Sequence, residues 1–336
     1  MKEKKLIIFI PSIEDGGVEK NLYLIANYVG RNNIKTEILT CNYNKKKNFN
    51  EKIKLIGPRS KLFFNKSRKI KYLICLLYLF VYLLRKKSQN LVFAFQANIY
   101  AIIVAKLTFT KVITRSNSSP SGWSKNPIKY LFYYIVIRLA NGVMVNSYDF
   151  KKEFSRKFKI NPTCILNPFY RFNLPKKINN IKNKKKYNKN LNILTIGRLT
   201  DQKDHVTLVK AAKLLNPLLK PKIKIIGKGV NYNNLKKLIY ENNLTNIVKL
   251  TGYRDKAYSY IKNTDIFVLT SRYEGLPNVL LEAQYFKKYI ISTDCPTGPS
   301  EILLNGRAGD LIKMGDHKKL AKLINDFPKN KKKKLE

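Results

Sequence analysis

The chain has 336 residues, which at roughly 150 residues per domain suggests two domains. Its 44% hydrophobic and 12% aromatic content is enough for genuine cores and excludes wholesale disorder. Sixty-six Lys and Arg against 21 Asp and Glu leave a net charge of +45. That balance favours nucleic acid, anionic lipid or phosphorylated small molecules as partners; a general bias toward Lys, Asn, Ile and Tyr is the competing source of the charge.

A basic start, Met1-Lys2-Glu3-Lys4-Lys5, leads into an apolar run over 6–10 that is too short for a secretion signal. That run meets Pro11-Ser12 and reads as a buried strand. Gly16-Gly17 opens a helix over 18–29 with Leu22, Ile25, Ala26 and Val29 on one face, and 36–40 reads as a second strand. The longest uncharged apolar run, 72–84, falls short of the ~20 residues a bilayer-spanning helix needs. Lys69 and Lys71 precede it and Arg85-Lys86-Lys87 follow, so it reads either as a helix lying on an anionic membrane or as a buried core helix. A strand over 91–95, a helix near 99–107 and short strands over 111–114 and 142–145 complete a parallel, doubly covered sheet.

The stretch 171–190 contains Pro175, many Lys and Asn and few apolar residues, and reads as a linker. The alternation then restarts with strands over 191–196, 222–226, 247–250, 265–270 and 289–292. Helices are expected over 205–215, near 234–242 and from Pro277. The organisation is therefore an N-terminal domain over 1–170, a linker over 171–190, a second domain over 191–320 and a basic tail over 321–336. The four cysteines (Cys41, Cys75, Cys164, Cys295) are scattered with no CxxC pair. Neither a zinc site nor a disulfide framework follows, and a reducing cytoplasm is the expected setting.

Ligands of open α/β sheets bind beyond the C-terminal strand ends. The loop from Ser271 to Ala283 is such an end, with Glu274 in the loop and Glu282 on the helix that Pro277 opens. N–H groups at that helix start suit a phosphate, and the carboxylates suit sugar hydroxyls. Taken singly, each glutamate also reads as a solvated surface residue. Gly197-Arg198-Leu199-Thr200-Asp201-Gln202-Lys203 follows another strand, placing Arg198 and Lys203 where a diphosphate would need cations. Weaker signals are Gly16-Gly17 after the first strand, Gly227-Lys228-Gly229, and Gly252-Tyr253-Arg254, whose loop could face a nucleobase.

Together these elements resemble the GT-B glycosyltransferases of the large retaining family 4. Glu274 and Glu282 match its E-x7-E motif, and Gly16-Gly17 match its N-terminal glycine-rich loop. The resemblance implies two Rossmann-like doubly wound domains facing across a cleft. It assigns Arg198 and Lys203 to the donor diphosphate, Glu274 to hydroxyls of the transferred sugar, and Glu282 to the ribose. It further implies donor contacts at Gly16, Gly17, Gly227, Tyr253, Arg254, Gly275, Leu276, Asn278 and Val279. No metal and no resident cofactor are expected; the donor is a nucleotide-sugar, a UDP-sugar by family frequency. The implied acceptor is a glycan or polyprenyl-diphosphate-linked glycan of a bacterial surface polysaccharide.

The cytoplasm or the inner face of its membrane is the expected location, with an anionic membrane surface as a candidate partner and no nucleic acid. One departure is visible. The family's N-domain His has no counterpart, and the matching stretch 114–120 offers Ser116 or Asn117 as hydrogen-bonding substitutes and Arg115 for an acceptor phosphate. His205 follows the diphosphate motif as a helix cap, and Ser300 reads as another. A nucleotide-sugar 2-epimerase of the same architecture and a basic nucleic-acid-binding protein remain the alternatives.

Overall fold

The computed structural model describes residues 5–14, 16–58, 63, 66–85, 90–120, 123, 126–168, 190–254 and 257–328. The chain divides into two compact units, 1–168 and 169–336. Of the expected linker only Asn190 is described, and the lysines of 329–334 lie outside the described residues.

In unit 1, β1 (Lys5–Phe9), α1 (Gly17–Arg31), β2 (Thr36–Leu39) and β3 (Lys54–Ile56) come first, followed by α2 (Arg68–Arg85). Then come β4 (Asn90–Ala94), α3 (Asn98–Leu107), β5 (Lys111–Arg115), α4 (Pro127–Arg138), β6 (Gly142–Val145), α5 (Tyr148–Phe158) and β7 (Thr163–Cys164). The strands form one parallel sheet in the order β3-β2-β1-β4-β5-β6-β7. Alternate residues of β1 and its continuation serve opposite faces. Ile7 and Phe9 join the core beneath α2, α3, α4 and α5, whereas Ile8 and Ile10 pack with Leu22 and Ala26 of α1. Both faces are covered, which is why the strand reads as an unbroken apolar run.

In unit 2 the chain runs through β8 (Asn192–Ile196), α6 (His205–Ala212), β9 (Lys222–Ile226), α7 (Tyr232–Glu241), β10 (Val248–Leu250) and α8 (Tyr258–Lys262). It continues with β11 (Ile266–Leu269), α9 (Asn278–Tyr285), β12 (Tyr289–Thr293), α10 (Pro299–Ile302), β13 (Asp310–Ile312) and α11 (His317–Asp326). The parallel order is β10-β9-β8-β11-β12-β13. Strand order therefore reverses between β1 and β4 in unit 1 and between β8 and β11 in unit 2. Those are the positions where loops diverge and leave room at the sheet's C-terminal edge.

The structure corrects two boundaries. A tail beginning at 321 is not observed, because α11 continues to Asp326 and buries Leu320, Ala321 and Ile324 in the core of unit 2. Phe327 stacks on Tyr289 with ring centroids 5.1 Å apart. The 72–84 run is part of the longer helix α2, which is half core: Cys75, Leu79 and Leu83 face inward at four-residue spacing. Elements that sequence patterning left unread are β3, α4, α5, β7, α8, α10, β13 and α11. Helix α4, PIKYLFYYIVIR, is apolar nearly all round and shows no 3.6-residue stripe. Among the described residues no helix is long and apolar enough to cross a membrane. The cysteines are free thiols, and Cys41 and Cys75 lie with their Sγ atoms 3.3 Å apart, a hydrogen-bonded pair hidden by 34 residues of sequence separation.

Backbones crowd at the C-terminal edge of the second sheet. Gly197 N–H donates to Ile226 O (2.9 Å) and Gly227 N–H to Gly252 O (3.0 Å). A Cβ on Gly227 would lie 1.8 Å from the carbonyl oxygen of Gly197, whereas one on Gly252, with φ at +69°, would meet nothing within 4 Å. Two glycines of one motif set are thus needed for different reasons, space and torsion. Gly252→Ala is expected to cost about 1 kcal/mol, and Gly227→Ala at least about twice that because backbone must move. Chemical denaturation of both variants checks the ranking.

Candidate functional site at the edge of the second sheet

The loop after β8 and the loop after β11 flank the reversal of strand order in unit 2, and the structure ties them together. Lys203 Nζ pairs with Glu274 Oε1, with both side chains nearly buried (13% and 8% exposed). Ser271 Oγ donates to the same carboxylate oxygen at 2.6 Å. Among the described residues no hydrogen bond reaches Glu274 Oε2. The stem of Lys203 runs past Gly197, where an added Cβ would touch its Cγ and Cδ at 3.3 Å. Glycine at the end of β8 is what lets the lysine cross to the neighbouring loop.

Gln202 is the second tie. Its Nε2 donates to Tyr273 O (2.9 Å), its carbonyl accepts from Arg272 N–H (2.8 Å), and its Oε1 accepts from Arg198 Nη2 (3.1 Å). Arg198 is otherwise exposed, so most of its guanidinium faces solvent beside the Lys203–Glu274 pair. Asp204 holds Arg272 (3.3 Å) and Thr207 (3.0 Å), while Thr270 Oγ1 donates to Lys203 O (3.0 Å). The strand end after β12 joins in. Thr293 Oγ1 donates to Ser271 O (2.6 Å) and Thr297 Oγ1 to Glu274 O (2.7 Å). Gly298, at φ +89°, lets that loop approach Gly275, since a Cβ there would lie 2.2 Å from Gly275 O. Burial and the nearby Glu274 charge push the Cys295 thiol up to about 12, so it stays protonated.

The structure therefore joins Lys203 and Glu274 directly and links Arg198 to the same loops through Gln202. Glu274 is buried rather than a solvated surface residue, because Lys203 and Ser271 draw its carboxylate inward. Gly275 sits in the same loop. Leu276, Asn278, Val279 and Glu282 are half-buried where that loop continues into α9. Pro277 is the N-cap of α9 rather than its first residue. Gly227 lies against the Gly197 backbone, Tyr253 takes the Lys228 ammonium over its ring at 5.3 Å, and Arg254 stands exposed beside it. Gly16 and Gly17 belong to unit 1. There Gly16 N–H is taken by Glu19 Oε2 at 2.9 Å, so the first turn of α1 already holds a carboxylate of its own.

Gln202, Ser271, Thr297 and Gly298 were not singled out from the sequence as site residues. All lie within or beside the motifs, but polar residues in loops carry no sign of which oxygen they will reach.

Two expected caps are corrected. His205 is the first residue of α6, whose N-cap is Asp204, and its ring is buried with neither nitrogen bonded among the described residues. Ser300 donates to Asn305 Oδ1 (2.9 Å), and Gly298 takes the cap position of α10. Arg115, expected at an acceptor phosphate, is instead 1% exposed. Its Nη2 donates to Asn167 Oδ1 (2.9 Å), and burial lowers its pKa.

Around Arg115, at the ends of β4, β5 and β6, is a second polar cluster. Asn98 and Asn117 both donate their side-chain N–H to Arg115 O (3.0 and 3.3 Å). Their Oδ1 atoms, with Ser116 Oγ and Asn146 Oδ1, are buried and unbonded among the described residues. No group of three or more His, Cys, Asp or Glu side chains among the described residues is placed to hold a metal ion.

The fold and the sequence of the second unit have known counterparts. Residues 176–336 match the model of the family described as Glycosyl transferases group 1. The fold is GT-B: the structure of Anabaena HepE in complex with UDP and glucose superposes with a TM-score of 0.75 at 19% identity, covering 98% of this chain and 91% of that one. The matched stretch lies within the unit that carries Lys203 and Glu274. An uncharacterized glycosyltransferase of Methanocaldococcus jannaschii is 33% identical over 183 residues, 52% of this chain and 44% of its own length. A second relative is the N-acetylgalactosamine-N,N'-diacetylbacillosaminyl-diphospho-undecaprenol 4-alpha-N-acetylgalactosaminyltransferase of Campylobacter jejuni. It is 34% identical over 122 residues, 36% of this chain and 33% of its own length. The chain spans less than half the length of these two relatives.

Two measurements follow. Lys203→Ala leaves a buried carboxylate unpaired, whereas Lys203→Met with Glu274→Gln removes both charges. The single variant is expected to be less stable than the double by about 1–3 kcal/mol in denaturant titrations; equal stabilities would mean solvent screens the pair. His205 gives the second. Burial, assisted by the Lys203 charge, pushes its pKa down from 6.5 to about 4. The unfolded chain then takes up this proton before the folded one does. The contribution is intact above pH 6.5 and is lost as the pH falls toward 4, by up to about 3 kcal/mol. His205→Phe should flatten that part of the stability–pH curve, measured as the difference from wild type.

Proposed function

We propose that the protein is a retaining glycosyltransferase that moves a sugar from a nucleotide-sugar, a UDP-sugar, to a glycan or polyprenyl-diphosphate-linked glycan in bacterial capsule, O-antigen or related surface-polysaccharide synthesis. The observation that carries the reading is the Lys203–Glu274 pair at the reversal of strand order, with Arg198 beside it and Glu274 Oε2 left for another donor. A diphosphate entering here meets one fixed and one exposed cation. As the bond from the anomeric carbon to the diphosphate oxygen breaks, negative charge grows on the leaving phosphate, and Arg198 and Lys203 stabilise it. The acceptor hydroxyl oxygen bonds to the same carbon, and its proton passes to the leaving phosphate on the same face. Glu274 orients the transferred sugar by accepting its hydroxyls, and Glu282 on α9 takes the ribose.

The reading uses fixed cations in place of a metal and requires no resident cofactor. It places the enzyme in the cytoplasm or at the inner membrane face. The undecaprenol-linked substrate in the Campylobacter relative's name supports the acceptor class, and the UDP bound to HepE supports the donor. The unbonded oxygens of Asn98, Ser116, Asn117 and Asn146 suit hydroxyl donors of an acceptor or donor sugar.

UDP is expected to raise the melting temperature by mass action. Glu274→Ala and Lys203→Ala should each lower donor-dependent transfer by at least about a hundredfold, with melting curves run alongside to show that both variants fold. Unchanged turnover in both overturns the assignment. A product that forms without any acceptor would instead indicate epimerisation of the nucleotide-sugar.

A further inference from the structure

We infer that the outer layer of α2, α3 and α4 in unit 1 is a docking face for an anionic lipid bilayer. The three helices cover one face of the sheet, α2 packed on α3 and α3 on α4, and their inward residues share one core. Their outward residues are as apolar as the inward ones. On α2 the residues opposite Cys75, Leu79 and Leu83 are Leu73, Leu77, Val81 and Leu84, of which Leu73 and Leu77 are each 61% exposed. On α4, Leu131 and Ile135 are more than half exposed, and Phe109, just beyond α3, is 99% exposed. Large side chains left in water singly are ordinary, but a row on each of neighbouring helices is a patch that asks for a cover.

Charge identifies the cover. No Asp or Glu occurs anywhere between Glu51 and Asp149, the stretch that contains all three helices. Arg68 and Lys69 at the start of α2, Arg85 at its end, and Lys129 and Arg138 at the two ends of α4 are exposed. An apolar face flanked only by cations matches a membrane whose interior takes the leucines and whose phosphate headgroups take the arginines and lysines. A second copy of the chain matches it poorly, because like charges would meet across the contact. This inference extends the earlier alternatives for the 72–84 run: one side of α2 is core and the other is free for lipid. It does not depend on the transfer reaction proposed above.

The test is sedimentation of the full chain with vesicles of phosphatidylcholine alone or of phosphatidylcholine with phosphatidylglycerol. Binding to the anionic vesicles and little to the neutral ones is expected, weakened by salt. Leu73→Glu with Leu77→Glu, and separately Leu131→Glu with Ile135→Glu, should lower the anionic-vesicle partition coefficient by about tenfold or more. Leu218→Glu with Val230→Glu adds the same charge at exposed apolar positions of unit 2 and should leave binding nearly unchanged. Melting curves and the UDP-induced shift, measured without lipid, show that each variant is folded and keep failure here separate from failure of the proposed function. Equal losses in all three double variants, equal binding to neutral and anionic vesicles, or a wild-type dimer that the α2 and α4 variants break into monomers would each overturn the inference.

Discussion

The Lys203–Glu274 ion pair holds the charged edge of the second sheet together. It joins the loops after β8 and β11, neighbouring strands that are 71 residues apart in the chain at the paired side chains. A lysine with so little exposure needs a counter-charge, and a carboxylate in the same position needs a donor. Each offsets the other's cost of burial. Unit 1 fills the equivalent position differently. At its reversal of strand order, the Gln96 amide bridges to Ser12 O (2.8 Å) and accepts from Ser12 N–H (3.2 Å), while Nε2 also reaches Glu19. The same topology thus carries a charged edge in one unit and an amide-stitched one in the other.

Around the pair the structure adds restraint in layers. Gln202 fixes Arg198 and the Tyr273 carbonyl, Thr297 fixes the carbonyl of Glu274, and glycines at 197, 227 and 298 admit backbone or a lysine stem where a side chain would collide. Fixed dipoles and charges of this kind do not have to reorganise when charge develops on a ligand, which is the condition under which electrostatic stabilisation is strongest. His205 shows the cost of such packing. Its ring sits in the interior beside a cation with no hydrogen-bond partner described, so acid rather than base is the direction in which this region loosens.

Unit 1 divides its polarity in another way. Polar oxygens of Asn98, Ser116, Asn117 and Asn146 are gathered at the C-terminal strand ends, around a buried Arg115. The helix layer on one face of its sheet turns leucine and isoleucine outward among cations. Hydrogen-bonding capacity inside and apolar area outside is the reverse of an ordinary soluble surface, and it follows from a stretch of sequence without a single acid.

The sequence by itself determined the two rounds of strand and helix, because doubly buried parallel strands must be short unbroken apolar runs, and 142–145 and 222–226 were legible to the residue. It also marked the strand ends by their glycines, and with them the placement of Arg198, Lys203 and Glu274 in the loops that follow and of Glu282 on the helix beyond, because loops begin where the apolar runs stop. Only the tertiary structure decided which of them meet. Lys203 reaches Glu274 because β8 lies beside β11, an adjacency that depends on strand order and not on local pattern. The same holds for Arg115, expected at an acceptor phosphate, whose place at the end of β5 buries it. It holds for α2 as well, whose two faces have the same composition and differ only in what packs against them.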